Sequence, residues 1–432
     1  MIATETEKQK SGFGESFKAL RNLNYRIYWF SGLGMTGAQG IQQLALAWLV
    51  LDLTDSAGQL GLVVLVQGVT MTATALWGGV LVDRYDRKKL LQMSQTFTFL
   101  NLVTLAVLIL TGLVHVWMLY FYAAGLGLMQ AITMPARNAL IRSIVPADDM
   151  LNAVALNAVQ MHTSRIIFPM SAGLLIAGLG VGATVLLSAA CSVTGIVLLL
   201  FVKVQESAPQ ASKGSPGREL AEGVRFAFGH AAIGPVITLA LSISSFGLAF
   251  MTLGPAFARQ EMGFGPSTVG FFLMSSGIGS IGGAILMMII RIKPTVQVFI
   301  FGCGGFALSL LALSINPIAP LAFLFMGCFG FSHSTLSITA QTIFQTEAPP
   351  RLLGRVVSLW SMGGGVAAIT AFPIGTIGDA VSLRYSIGAV ACALLFMVVI
   401  VNFGARPLRW LSRVMPAPPE RTPDLAEATG GD

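Results

Sequence analysis

Between two long apolar stretches the chain reads Gly79-Val80-Leu81-Val82-Asp83-Arg84-Tyr85-Asp86-Arg87-Lys88-Lys89. An acid followed by bases within one tight turn can form ion pairs and contacts to helix ends, and glycine beside it permits close helix packing. Gly79, Asp83, Arg84, Arg87 and Lys88 are therefore a candidate latch that holds one arrangement of the elements they join. Taken on its basic residues alone, the same segment is an ordinary positively charged loop at a membrane surface.

Arg165 raises a different chemistry, because it lies inside an apolar stretch. It is about 13 residues in, or roughly 20 Å deep for a helix rising 1.5 Å per residue. A guanidinium at that depth costs several kcal/mol unless it faces a cavity or finds partners. His162 is one turn earlier on the same helical face, and Asn157 is two turns back. Two readings stand: a cation that binds an anion or a substrate in a central cavity, or an arginine tied to backbone carbonyls between helices. Gln39 and Gln43 share a face at i,i+4, with Gln42 beside them. Gln67 and Gln130 add amides elsewhere, and His333 stands between Ser332 and Ser334. These residues either line a cavity or bond neighbouring helices together. No Asp or Glu lies near the middle of an apolar stretch, which leaves a net positive interior suited to carboxylate, phenolate or phosphate groups. Asp52, Asp83, His162 and His333 are the groups available to couple a proton.

The elements that must position these residues follow from composition. Of 432 residues, 54% are hydrophobic and 10% charged, with a mean hydropathy of +0.77. Soluble domains carry about 25% charged residues. The apolar blocks are continuous, as in Val185–Val202, so they are bilayer-spanning helices and not alternating barrel strands. Twelve spans fall near 25–51, 58–82, 90–112, 116–136, 152–178, 181–203, 233–258, 267–290, 295–315, 318–343, 355–379 and 384–405. The chain thus divides into a tail (1–24), a six-helix bundle (25–203), a linker (204–232) in which 218–229 forms a short amphipathic helix, a second six-helix bundle (233–405) and a second tail (406–432). The first 24 residues are polar and lack the apolar core of a signal peptide.

All but Arg165, Arg259 and Arg384 of the 26 basic residues fall in the tails or in loops on one side, which makes both termini and the linker cytoplasmic. The net charge of +7 is spent on topology and anionic lipid, not on nucleic acid. Cys191, Cys303, Cys328 and Cys392 sit in apolar blocks without CxxC spacing, as packing residues and not metal ligands. At an offset of 203 residues Pro146 pairs with Pro349, Val154 with Val357 and Leu156 with Leu359. This faint repeat predicts two halves related by an axis along the membrane normal, with a site between them at mid-depth.

The segment Gly79–Lys89 resembles the major facilitator superfamily signature between the second and third helices, with Asp86 where that family usually has Gly. Trp48-Leu49-Val50, Pro135-Ala136-Arg137 and Gly354-Arg355-Val356 resemble one branch of it, the drug:proton antiporters that include enterobactin exporters and macrolide efflux proteins. The resemblance runs from about Phe17 to Arg406. The chain departs from it in two places: the second half has no signature acid after Gly282-Gly283, and Phe168-Pro169 replaces the branch's Gly-Pro pair. The resemblance implies an all-α protein of two pseudo-symmetric six-helix bundles in the bacterial inner membrane. It implies a monomeric secondary transporter that exports a siderophore-like or drug-like small molecule by alternating access. An importer, a lipid flippase and a non-transporting sensor remain alternatives. A proton or other ion gradient replaces any cofactor, since no G-x-x-x-x-G-K-[ST] phosphate loop is present. The four scattered histidines and the lack of H-E-x-x-H exclude an enzyme.

Overall fold

The structure, a computed structural model, describes residues 18–146, 149–204, 224–230, 233–289, 295–361 and 363–404. Helices of this length form because lipid leaves the backbone no partner but itself. Where the chain leaves the apolar region, short polar side chains cap the ends. Asn22 accepts from Asn24 and Tyr25 N–H at the start of α1 (Leu23–Thr54). Ser56 accepts from Gln59 N–H at the start of α2 (Ala57–Arg84). Asp86 accepts from Lys88 and Lys89 N–H at the start of α3 (Arg87–Leu110). These are the bonds that satisfy the first orphan donors of a helix. Asp86 therefore has a local use at the position where the related family carries glycine.

α4 (Val116–Ile144) runs well past Pro135, where the apolar pattern ends near residue 136. Pro135 cannot donate to the carbonyl of Ala131, and Gly78 of α2 packs directly against that carbonyl. The segment Arg137–Ser143 thus continues the helix instead of ending it. A helical stretch Met150–Leu200 is broken at Gly180 (φ 79°, ψ 170°), which divides it into α5 (150–179) and α6 (181–200). That backbone conformation is open to glycine and closed to other residues. α7 (Ile233–Gln260), α8 (Pro266–Ile289), α9 (Val296–Ile315) and α10 (Ala319–Glu347) follow. The eleventh crossing, read from sequence as 355–379, is longer and is described as α11 (Pro350–Ser361) and α12 (Gly363–Ala380), on either side of residue 362, which lies outside the described residues. α13 (Leu383–Gly404) is the last crossing. Of the linker 204 and 224–230 are described, and 224–229 is helical.

Among the described residues, nine helices are long and apolar enough to cross a membrane on length and composition alone, one of them being the broken α5–α6 stretch. α1 does not meet that test, since Gln39, Gln42 and Gln43 lie within it. It faces protein instead of lipid, with Ala45, Val50 and Leu51 fully buried. Hydrogen bonds fasten it to α5 and α6: Tyr25 Oη donates to Ala153 O (2.8 Å), Trp29 Nε1 to Leu156 O (3.2 Å), Ser31 Oγ to Gly195 O (2.6 Å) and Ser188 Oγ to Ala38 O (2.8 Å).

α1–α6 and α7–α13 form two six-span halves that meet along α2 against α12 and α5 against α8. Small residues let the backbones touch. A Cβ on Gly61 would lie 2.7 Å from Phe372 Cα, and one on Gly173 would lie 2.5 Å from Pro266 O and 2.9 Å from Gly270 Cα. The face with the start of α1, the α2–α3 turn and most basic residues is called the basic face below, and the opposite one the far face.

Candidate functional site

Between the halves lies a cavity of about 340 Å³. The first half lines it with Thr36, Gln39 and Gln43 from α1, Met134 from α4, and Met161 and Ser164 from α5. The second half contributes Met251 from α7, Ser276 and Ser280 from α8, and Phe329 and His333 from α10. Pro169, Leu248, Gly40, Gly247, Gly277 and Gly330 complete the wall. The described lining contains hydroxyls, amides, thioethers, an aromatic ring and an imidazole, but no carboxylate.

Most of the hydroxyls are already used. Thr36 Oγ1 and Ser164 Oγ are 3.2 Å apart, Ser276 Oγ donates to Leu273 O (2.9 Å), and Ser280 Oγ donates to Gly330 O (3.0 Å). His333 stacks on Phe329, with ring centroids 6.4 Å apart and an interplanar angle of 11°. Gln39 and Gln43 differ: both are exposed, on a helix whose adjacent Ala38, Gln42 and Leu44 are buried. A helix enclosed by protein that still exposes two amides on one face has a solvent-filled space in front of it. Those amides are the ready donors and acceptors for a bound molecule.

Gln67 and Gln130 are half-buried and are not among the cavity's lining residues. Gln67 lies where α2 and α4 are in closest approach, its carbonyl against Gly127. The side chains of His162 and Arg165 lie outside the described residues; their helical positions neighbour Met161 and Ser164, which line the cavity. The side chain of Asp83 is likewise outside the described residues, so the latch read from sequence is visible only in part. Arg84 is exposed. Arg87 Nη1 donates to Ser143 Oγ (2.8 Å) on α4, and Lys88 Nζ donates to the carbonyls of Leu200 and Val202 (both 2.8 Å) at the end of α6. Both bases thus bind within the first half, Lys88 at the electronegative end of a helix.

The far face is arranged differently. Asp52, a candidate for proton coupling by sequence, pairs with Arg259 of α7 at 2.5 Å. The Arg259 guanidinium also lies 4.8 Å from the centre of the Trp48 ring. Gln260 Nε2 donates to Asp55 O (2.8 Å). Asp379, at the end of α12, accepts from Ser56 Oγ (2.5 Å), Ala57 N–H (2.7 Å) and Gly58 N–H (2.8 Å). These bonds cross from one half to the other at the far face and tie the halves together there.

Behind these bonds, Arg384 donates to Glu261 Oε2 (3.1 Å), Glu261 O (3.0 Å) and Asn316 O (2.7 Å), and Ser382 Oγ donates to Glu261 Oε1 (2.7 Å). The far ends of α7, α9 and α13 are riveted together. Sequence reading missed the roles of Arg259 and Arg384, although a signal existed: they are the two arginines placed on the side that basic residues otherwise avoid. Each sits there beside an acid, Asp52 or Glu261.

A helical, two-halved bundle that encloses a cavity between its halves and joins them by hydrogen bonds at one face has the architecture of a membrane transporter. The chain belongs to the major facilitator family described as transmembrane secretion effectors, whose model matches residues 14–424. It is 26% identical over 389 residues to the enterobactin exporter EntS of Escherichia coli O1:K1, spanning 89% of this chain and 91% of that one. The match to EntS of Shigella flexneri has the same identity and coverage. Among solved structures, the fold matches a bacterial homolog of the human lysosomal transporter Spinster in an inward-facing, unoccupied conformation. The TM-score is 0.70 at 13% identity, covering 94% of this chain and all of that one. A peptide transporter matches with a TM-score of 0.72 at 10% identity, over 91% of this chain and 96% of the other. The protein is a non-enzymatic, multi-pass membrane transporter.

Proposed function

We propose that the protein exports a small molecule from the cytoplasm by rocking its halves about the central cavity, and that the conformation described is inward-facing. The observation that carries this is the pairing of a sealed far face with the exposed Gln39 and Gln43 below it. The positive-inside rule makes the basic face cytoplasmic, with both termini on that side in the bacterial inner membrane. The substrate binds against Gln39, Gln43, Phe329 and His333. It is a neutral or anionic aromatic molecule of siderophore or drug type, because the described lining offers an organic cation no counter-charge. Arg165, next to the lining residue Ser164 in the chain, is the cation we assign to the substrate. The enterobactin exporters supply the precedent for efflux and for a catecholate. When the cytoplasmic gate closes, Asp83 and its basic neighbours Arg84, Arg87 and Lys88 hold it. A proton or other ion gradient drives the cycle, with Asp52, Asp83 and His162 as the coupling groups.

The test is accumulation in inverted membrane vesicles, comparing an anionic catecholate with a lipophilic cation of similar size. The catecholate accumulates and the cation does not. Arg165→Gln and the pair Gln39→Ala/Gln43→Ala lower catecholate accumulation at unchanged membrane abundance, and Arg165→Lys keeps part of it. Equal accumulation of the cation would overturn the substrate class. Accumulation only in right-side-out vesicles would make the protein an importer.

A further inference from the structure

The first N–H groups of any helix have no partner within it and sit at the positive end of its dipole. At the start of α2 the local cap, Ser56, accepts from Gln59 N–H and leaves Ala57 and Gly58 N–H for another acceptor. That acceptor comes from the other half of the molecule: the Asp379 carboxylate takes both N–H groups, one on each oxygen, and the Ser56 hydroxyl as well. Residue 58 has to be small for this approach, since a Cβ there would lie 2.7 Å from Asp379 Oδ2 and 3.1 Å from Thr376 Cα.

The same short connection between α1 and α2 is gripped from α7 by Arg259 on Asp52 and Gln260 on Asp55 O. Ser382, just after α12, bonds to Glu261, which directly follows Gln260. The Arg384–Glu261 network therefore makes Asp379, Arg259 and Gln260 parts of one stiff edge. This edge meets the start of α2 only when the far face is closed. Once the halves separate there, the carboxylate and the two N–H groups can find only water. A bond formed in one state and missing in the other is what shifts the balance between them.

We propose that Asp379 is the latch of the far face, an acid from the second half that caps a helix of the first half in the inward-facing state alone. Its release is a required step in opening the cavity outward. The latch rests on the rocking of the halves proposed above, and the experiment separates the two.

Spin labels on cysteines at Leu113 and Ile318, exposed far-face positions in opposite halves, report the far-face separation in protein whose four native cysteines are replaced by alanine. In Asp379→Ala the ratio of separated to closed far face rises about tenfold over the unsubstituted protein, the loss of charge-assisted bonds to a helix end. Ser56→Ala raises it about threefold by removing one of the three donors. Gly58→Ala moves it in the same direction by wedging the contact without changing charge, and with Ser56→Ala it decides the matter if Asp379→Ala does not fold. If Asp83→Asn shifts the distance distribution while Asp379→Ala, Gly58→Ala and Ser56→Ala leave it as in the unsubstituted protein, the halves rock but Asp379 is not the latch. If no variant, Asp83→Asn included, shifts it, the rocking reading falls and the latch with it.

Discussion

The two faces of the bundle use the same kinds of side chain to opposite ends. At the far face Asp379, Asp52, Arg259 and Gln260 reach from one half to the other. At the basic face four charges bind within the first half: Arg87 on Ser143, Lys88 on the end of α6, Asp86 on its own helix, and Lys18 on Asp149 at 2.9 Å. Charge content therefore does not tell a seal from a brace; what does is whether the partner belongs to the same rigid body. A bond inside one half survives rocking and adds to stability in every state. A bond between halves exists in one state only and sets its population. If the halves rock as proposed, this difference makes the far face the gate that is closed in this conformation.

Four substitutions break or sharpen this comparison, from the largest effect to the smallest. Gly173→Leu drives a side chain into the α5–α8 contact, where the first carbon already lies 2.5 Å from Pro266 O. Overpacking of this kind costs about 1–3 kcal/mol, and because it falls between the halves it reduces vesicle transport more than about tenfold. Transport at the normal rate would mean that this contact is not needed for the cycle. Arg384→Ala attacks the edge behind the seal and leaves Glu261 facing Ser382 without its ion partner. The loss is about 2–3 kcal/mol, discounted for partial exposure, and is read as a lower unfolding temperature in detergent. A stability equal to that of the unsubstituted protein would remove the stiff edge from the account.

Asp52→Asn breaks a cross-half pair that is partly exposed, so the change in conformational balance is about 1 kcal/mol or less. The far-face separation rises modestly, less so in high salt, and the exchange Asp52→Arg with Arg259→Asp brings it back. An unfolding temperature that drops while the separation stays fixed would make the pair a brace. Lys88→Met is the smallest: loss of a cation at the end of α6 costs about 0.3–1 kcal/mol, read as a slightly lower unfolding temperature, and it moves the far-face distance, if at all, toward closure. A far face that separates more in this variant would take Lys88 out of the cytoplasmic gate.

The amino-acid sequence alone was enough for the twelve crossings, because each requires about 20 apolar residues and lipid forbids every fold of them but helix. It reached the α5–α6 break at Gly180, where glycine lies between two apolar runs. It did not reach the length of α4, where a proline inside a helix looks like an end until a neighbouring glycine is seen against the freed carbonyl. Nor did the sequence distinguish Gln39 and Gln43, exposed in the cavity, from Gln67 and Gln130, which are not among its lining residues, because helical spacing gives a face but not what stands opposite. Asp379 and Asp52 looked alike, two acids at the far ends of helices. Only the tertiary structure gave one a helix terminus and the other an arginine, since the partners are more than 200 residues away in the chain. Local pattern determines which segments enter the membrane; the packing of one half on the other determines which charges are gates.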